Sequence, residues 1–249
     1  YWDRCATARE RYRAATRLGI EGSERRLDRE VIREFLDRGE AHIRRGIERT
    51  RDPATGLPRT YYRHEPTAWE TLGPAANGMG TAVRVTAFDA HPLPLFLEAP
   101  CHAMRVLGDA EHLYAAVRRS PLYDRALGMY RTGESVREES PELGRLWSWS
   151  PGWFENENIF LHLEHKYLLA CLRSGLVEAF FEDMRQCFLP FQDPERLGRN
   201  PLENASFIMS SRHPRAHYHG RAYQPRSSGM TAEVIEMLLF CLFGPRPFG

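Results

Sequence analysis

Histidine and lysine side chains stand among apolar residues in the segment ENENIFLHLEHKYLLA, residues 155–170. Its apolar residues cover nearly every direction of a helical wheel, which predicts a helix packed on several sides. His162, Lys166 and Arg173 fall on one narrow stripe of that helix, and Lys166 is the only lysine among the 34 lysines and arginines. Because the first turn of a helix offers free backbone N–H groups, His162 and Lys166 predict a site for phosphate or a carboxylate. The spacing alone supports a solvated stripe equally well.

A second cationic segment comes just before the last apolar helix predicted from the sequence. The stretch HPRAHYHGRAYQPRSSGM contains Arg221 and ends on Ser227, Ser228 and Gly229 before that helix. Ser228 is suited to cap the helix, and Gly229 lets a ligand approach the main chain closely. Two cationic helix starts favour one shared oxyanion pocket, although a plain basic loop with a serine cap is the alternative.

The same segment raises a metal site as a further alternative, through His213, His217 and His219. These histidines have neither a spaced carboxylate nor a helical pair of ligands, so we predict no metal. The chain also lacks a P-loop, a G-x-S-x-G motif and a dinucleotide-binding glycine motif. We therefore expect no organic cofactor.

Aromatic and acidic residues of a kind that contacts sugars lie in the stretch WSWSPGWFENEN and near it. Trp153 and Glu155 belong to this stretch, and aromatic rings beside acids often form platforms for sugars, with packing inside the protein as the alternative. Glu98, Glu157 and Glu203 are further candidates for a general acid. No paired-carboxylate signature selects among them.

The composition predicts an ordinary cytoplasmic chain. Of its 249 residues 42% are hydrophobic and 27% charged, and the formal net charge of +1 attracts neither nucleic acid nor an anionic membrane. No apolar run is long enough to span a bilayer, and the five cysteines are too scattered for a disulfide framework. The chain begins inside a helical pattern without a methionine, which suggests an excerpt lacking its N-terminal part.

Helical periodicity dominates the chain and predicts an all-α fold of paired helices. The first two helices are amphipathic, so they should pack on a neighbour. Glycine and proline punctuate residues 53–89, where the runs LPRTYYR and AVRVTAF predict a small β-hairpin insertion. The main predicted helices cover residues 3–18, 28–47, 159–173, 177–189 and 234–243.

Several of these stretches resemble cellobiose phosphorylase and its relatives in glycoside hydrolase family 94. Residues 155–162 resemble the family's E-N-x-x-I-F-x-H motif, whose histidine corresponds to His162 and helps to hold the attacking phosphate. Residues 220–222 and 228–229 resemble the later G-R-A and T-G stretches on the phosphate side, with serine in place of threonine. The segment 201–209 resembles a stretch whose acidic residue corresponds to Glu203.

The resemblance implies a partial (α/α)6 barrel, the six-hairpin fold of many glycosidases, and residues 1–249 as the C-terminal portion of one catalytic domain. It implies an inverting glycoside phosphorylase that splits a β-glucoside or oligosaccharide to a sugar 1-phosphate, with inorganic phosphate as co-substrate. His162, Lys166, Arg221, Ser227, Ser228 and Gly229 would bind phosphate or substrate, and Trp153, Glu155 and Glu203 would contact sugar. No residue matches the family's general acid, which we expect upstream of this chain, so the excerpt alone should be inactive.

Two other functions stay open beside the phosphorylase. An inverting hydrolase or a transglycosylase uses the same fold, with water or a sugar in place of phosphate. A non-catalytic carbohydrate-binding protein would lack the acid altogether. The sequence leaves the sugar, its linkage and a homodimeric assembly open.

Overall fold

The computed structural model describes residues 2–17, 26–75, 78–200, 205–224 and 229–245. Contacts divide the chain into two compact units, residues 1–43 and 44–249. The helices and strands are α1 Trp2–Thr16, α2 Arg29–Arg49, β1 Tyr62–Pro74, β2 Thr81–Pro92, α3 Glu98–Leu107, α4 Ala110–Arg119, β3 Tyr123–Asp124, β4 Met129–Tyr130, α5 Arg145–Ser148, β5 Ile159–Phe160, α6 Leu161–Arg173, α7 Val177–Cys187, α8 Pro194–Leu197, β6 Phe207–Ile208, β7 Ala222–Tyr223 and α9 Met230–Phe243.

The prediction of an all-α fold is wrong, and with it the purely helical form of the partial (α/α)6 barrel. About 49% of the described residues are helical and 18% lie in strands, which form three small antiparallel sheets. The helical prediction failed because most of these strands have two residues, too few to produce a period-two pattern. The chain is a mixed structure of helices and short antiparallel sheets.

The strands β1 and β2 form one long hairpin that covers most of the predicted insertion at 53–89. Tyr62 pairs with Pro92 at its base and Pro74 with Thr81 near its tip, and the register shifts at three points. The run LPRTYYR lies mostly before β1, and Leu57 in that run is fully buried in the core of the second unit. The predicted hairpin is therefore present, with much longer strands than the two runs indicated.

Helix α6 packs against α3, α7 and α9 and is buried on several sides, as its wheel predicted. Leu161, Leu168 and Ala170 on this helix are fully buried in one apolar core with residues of its three neighbours. The helix begins at Leu161 rather than at residue 159, because Ile159 and Phe160 pair with β6. This start fixes the direction in which the polar residues of the first turn point.

A three-stranded sheet has the strand order β5-β6-β7, and its strand β5 ends directly before α6 begins. Phe160 pairs with Phe207, and Phe207 pairs in turn with Tyr223. The rings of Phe160 and Phe207 stack 4.7 Å apart, and those of Phe207 and Tyr223 lie 5.4 Å apart and nearly parallel. The sheet thus joins three distant segments of the last third of the chain and anchors the start of α6.

The first unit contains α1 and most of α2, and its helices are exposed. No residue of α2 is buried, and the apolar side chains of Val31, Phe35 and Leu36 face solvent. Side chains of α1 from Asp3 onward are likewise exposed except at its last residue. The packing expected for the two amphipathic helices is therefore not found in the described part of the chain.

The most apolar helix, α9, has 14 residues and exposes Ile235, Leu238 and Leu242. A helix needs about 20 apolar residues to cross the hydrocarbon layer of a membrane. Within the described ranges, no helix combines the length and the apolar character that a membrane crossing requires.

Ionisable side chains are buried in the core behind the start of α6. The Glu164 carboxylate is fully buried and accepts a 2.8 Å hydrogen bond from the Tyr130 amide. Burial raises the pKa of Glu164 from 4.5 to about 8, while burial lowers the pKa of His165 from 6.5 to about 4. Both residues are therefore uncharged in the folded chain near neutral pH, and they belong to the core rather than to a polar surface.

Replacing Glu164 with glutamine should change how stability depends on pH. Between pH 4.5 and about 8 the folded chain holds a proton on Glu164 that the unfolded chain has lost. The free energy of unfolding of the wild type should therefore fall with rising pH, by at most about 1.4 kcal/mol per unit, relative to that of Glu164→Gln. Urea denaturation at several pH values between 5 and 8 measures this difference.

The buried His165 gives the opposite trend, because its contribution to stability is lost as the pH falls from 6.5 towards 4. His165 is present in both the wild type and Glu164→Gln, so its contribution cancels when the free energies of unfolding of the two proteins are compared. The exposed Glu138→Gln serves as the control and should keep the wild-type pH dependence. Parallel curves for the wild type and Glu164→Gln would contradict the buried, protonated state of Glu164.

Candidate active site

A cavity of about 300 Å³ opens beside the start of α6 and carries several kinds of chemistry. Its wall combines aromatic rings, carboxylates, one hydroxyl, an imidazole, an ammonium group and apolar side chains. The lining residues are Tyr61, Phe96, Glu98, Thr132, Leu146, Glu155, Phe160, His162, Leu163 and Lys166. Four residues singled out from the sequence therefore lie on one cavity: Glu98, Glu155, His162 and Lys166.

Helix α6 places His162 and Lys166 on this cavity because the rest of its surface is packed. The two residues are one turn apart on α6, and Glu164 and His165 between them point into the core. The His162 side chain keeps 27% of its surface exposed. The polar stripe of the helix therefore faces a cavity rather than open solvent at this end.

The His162 ring also contacts the residue before α9. A Cβ atom added to Gly229 would lie 2.2 Å from Nε2 of His162, far closer than atoms can approach. The Phe160 ring meets the His162 ring edge-on at 5.7 Å. The starts of α6 and α9 are thus brought together, and only a glycine at position 229 leaves room for the imidazole.

His162 has an acidic and a basic side chain near it, Glu233 and Lys166. Its Nε2 lies 3.8 Å from Oε1 of Glu233 on α9. Burial, and then the nearby Lys166 charge, lower the pKa of His162, so its ring is mostly neutral at pH 7. Lys166 has no carboxylate of the described residues within 4.0 Å, and it supplies the positive charge of this wall.

Arg173, the third cation of the predicted stripe, is engaged elsewhere. Its guanidinium forms an ion pair with Glu236 on α9. Arg173 is the last residue of α6, and it is not among the described residues that line the cavity. Among the described residues that line the cavity, Lys166 therefore carries the positive charge, and the neutral His162 lies one helical turn away from it.

The carboxylates of the cavity wall belong to Glu98 and Glu155. The Tyr61 hydroxyl donates a 2.6 Å hydrogen bond to Oε2 of Glu98. Burial of Tyr61, followed by the Glu98 hydrogen bond and the charges of both glutamates, raises the pKa of the phenol to about 12. Glu155 lies 3.7 Å from the exposed Arg145. Both carboxylates are thus close enough to one phenol to influence it.

Two other predicted residues lie away from this cavity. Arg221 is exposed, and its Nε donates a 2.9 Å hydrogen bond to the carbonyl of His217. Trp153 stacks on Tyr223 with ring centroids 4.8 Å apart, so its ring packs against protein. Neither residue is among those that line the cavity. Three predicted residues lie outside the described part of the chain: Glu203, Ser227 and Ser228.

Two histidines of the 213–219 segment, His213 and His219, contact the main chain through their rings. Nδ1 of His213 accepts a 3.2 Å hydrogen bond from the Arg215 amide, and Nε2 of His219 lies 2.7 Å from the carbonyl of His213. Among the described residues, no group of three or more His, Cys, Asp or Glu side chains has the arrangement of a metal site.

Other lining residues were not predicted, because their place depends on contacts between distant segments. Tyr61 reaches Glu98 across 37 positions of the sequence. The Thr132 hydroxyl donates a 3.1 Å hydrogen bond to Oδ1 of the buried Asn158, which ties the loop before α6 to the strand region around residue 130. The only local signal was the tyrosine pair in LPRTYYR, which has the composition of a strand.

Comparison with known proteins gives this chain no family. No protein-family model matches it, and no curated protein matches it. The function must therefore be argued from the cavity and its residues.

Replacing Gly229 with alanine should push the His162 ring out of its place. The φ angle of Gly229 is −55°, which alanine adopts freely, so the effect comes from the collision of the new methyl group with Nε2. Once displaced, the ring loses the burial that lowers its pKa, and the pKa of His162 should rise towards 6.5. An NMR titration of the ring signals measures it, with assignment from the spectrum of His162→Gln.

The matched control is Gly46→Ala, because Gly46 lies in helix α2 and has no heavy atom within 4 Å of an added Cβ. This variant should leave the pKa of His162 as in the wild type. An unchanged pKa in Gly229→Ala would contradict the tight contact between the two helix starts.

Proposed function

We propose that this chain carries the substrate cavity of a carbohydrate-active enzyme of the glycoside phosphorylase type. The enzyme would split a β-linked glucoside or oligosaccharide with inorganic phosphate and release a sugar 1-phosphate. The observation that supports this proposal is the single cavity of about 300 Å³ that joins Lys166 and His162 to Glu98 and Glu155. The scattered cysteines, with no disulfide among the described residues, suit a reducing compartment, so we place the enzyme in the cytoplasm.

The phosphate would bind at the α6 side of the cavity. Lys166 offers an ammonium group without an ion-pair partner among the described residues, and a neutral His162 offers one N–H donor. Hydrogen bonds from a charged donor to an oxyanion are short and strong, especially in a partly enclosed site. One cation and one neutral donor, one helical turn apart, match two oxygens of a tetrahedral anion.

The sugar would bind towards Tyr61, Phe96 and Phe160. Aromatic side chains offer an apolar face for a sugar ring, and carboxylates accept hydrogen bonds from its hydroxyl groups. Glu98 already accepts a hydrogen bond from Tyr61, so it is held in position to accept more. The sugar would thus meet acceptors on one side and the phosphate on the other.

The reaction requires one acid and one nucleophile. A carboxylic acid protonates the glycosidic oxygen while a phosphate oxygen attacks C1 from the opposite face. The C1–O bond to the leaving sugar breaks and a C1–O bond to phosphate forms, so the configuration at C1 inverts. We assign no residue of this cavity as the acid, and we propose Glu155 as a contact to the sugar.

An inverting hydrolase is the second candidate. The presence of Glu98 and Glu155 on one cavity favours it, since a hydrolase needs one carboxylate as acid and a second as base for water. Lys166, which has no ion-pair partner among the described residues, favours the phosphorylase, because a hydrolase has no anion to hold.

The decisive assay uses the protein at its full natural length with a panel of β-linked gluco-oligosaccharides, with and without inorganic phosphate. We expect sugar 1-phosphate only when phosphate is present. His162→Ala and Lys166→Met should each lower kcat/KM for phosphate by about 100-fold, as expected for removing one donor to a developing charge. Glu155→Gln should raise KM for the glycoside, because the carboxylate would accept hydrogen bonds from the sugar.

Arg185→Ala removes a positive charge from an exposed residue that is not among those lining the cavity, so it should keep the wild-type kcat/KM. Release of reducing sugar without phosphate would establish the hydrolase and reject the phosphorylase. Binding of oligosaccharide without any turnover would reject both enzymes and favour a carbohydrate-binding protein.

A further inference from the structure

The carboxylate of Glu233 lies beside His162, although Glu233 is not among the described residues that line the cavity. Oε1 of Glu233 lies 3.8 Å from Nε2 of His162, and the Glu233 side chain keeps 16% of its surface exposed. The resemblance to family 94 did not include this residue, because Glu233 lies within α9 and beyond the matched T-G stretch. An acid at an anion site needs a physical account, since it repels the ligand that its neighbours attract.

The surroundings of Glu233 keep it at this place. Glu233 is in the first turn of α9, and its amide donates a 3.2 Å hydrogen bond to the carbonyl of Gly229, which itself contacts the His162 ring. Burial raises the pKa of Glu233, while the charges of Lys166, Arg105 and Arg173 lower it and that of Glu236 raises it further. Burial is the largest of these effects, so the pKa of Glu233 lies above its ordinary value.

We propose that Glu233 selects, at the His162 and Lys166 site, a tetrahedral oxyanion that carries a proton. A hydrogen phosphate ion can donate its O–H to the Glu233 carboxylate, while its other oxygens accept from Lys166 and His162. Sulfate has the same shape and the same double negative charge, but it has no proton to donate. In the site, sulfate therefore leaves Glu233 without a donor and places two negative groups in contact.

The balance of charge leads to the same selection. When Glu233 is ionised, its charge offsets that of Lys166 and the neutral His162 adds none, so the three groups together carry no net charge to reward a dianion. Discrimination between the two anions then depends on hydrogen bonds. A ligand that leaves one group of the site without a hydrogen-bond partner is rejected more strongly than it would be by a site that recognises charge alone. This inference rests on the proposed function, because it names the property by which the same site would recognise phosphate.

Calorimetric titration near pH 8 separates the two anions, since hydrogen phosphate and sulfate there have equal charge. The wild-type protein should bind phosphate at least about tenfold more tightly than sulfate. Glu233→Gln replaces the acceptor with an amide that also donates, so it should gain affinity for sulfate and bring the ratio of the two dissociation constants close to one. Glu233→Asp keeps an acceptor and should restore part of the selectivity.

The matched control is Glu236→Gln, which removes the same charge from the same helix. Glu236 pairs with Arg173 instead of His162, so this variant should keep the wild-type ratio. Equal effects of Glu233→Gln and Glu236→Gln would reduce the result to a change in net charge and overturn the inference. A wild-type protein that binds sulfate and phosphate equally would overturn it as well.

The two proposals fail in different ways. Phosphate-selective binding that depends on Glu233, without sugar 1-phosphate from any glycoside, would support the anion selection and reject the phosphorylase. Phosphorolysis by a protein whose Glu233→Gln variant keeps the wild-type selectivity would support the phosphorylase and reject the role of Glu233. If neither anion binds any of the proteins, the phosphate site itself is rejected, and the inference with it.

Discussion

The packing of α6 on three sides is the constraint on which the rest of the site depends. A helix that is in contact with α3, α7 and α9 has little surface left for polar groups. Glu164 and His165 meet this constraint by remaining uncharged inside the core, and burial shifts their pKa values in the direction that each neutral form requires. His162 and Lys166 meet it by pointing into a cavity. The division between the two pairs follows from the helical period alone.

The same packing decides the electrostatics of the cavity. Partial burial lowers the pKa of His162, so the site has one full positive charge at Lys166 and not the three that the stripe suggested. Glu233, across from His162, compensates that charge. A nearly neutral, partly enclosed site recognises a ligand by the match of donors and acceptors, because Coulomb attraction no longer distinguishes between anions of equal charge.

The sequence predicted those parts of the structure that depend on local periodicity. The existence of α6, the shared face of His162 and Lys166 and the exposure of that face follow from spacing, and the helical prediction near residues 177–189 corresponds to α7. Gly229 was identified from its type, although its role is to leave room for the imidazole.

Contacts between distant segments could not be predicted in the same way. The two-residue strands have no period, so the mixed fold was mistaken for an all-helical one. Trp153 was predicted to contact sugar, because the sequence does not distinguish a tryptophan that binds a ligand from one that packs inside the protein. In the structure its ring stacks on Tyr223. Tyr61 and Glu98 meet only after folding, and Glu233 has no special motif.

Binding of a protonated tetrahedral oxyanion between Lys166 and His162 is the property on which both proposals depend. Arsenate has the shape and the proton of hydrogen phosphate, and its arsenic atom is located directly by anomalous X-ray scattering from a crystal that contains it. We expect an arsenic peak within the cavity, with arsenate oxygens at hydrogen-bonding distance from Nζ of Lys166, Nε2 of His162 and the Glu233 carboxylate. A cavity without arsenic, in crystals that bind arsenate at other places, would contradict an oxyanion site at His162 and Lys166.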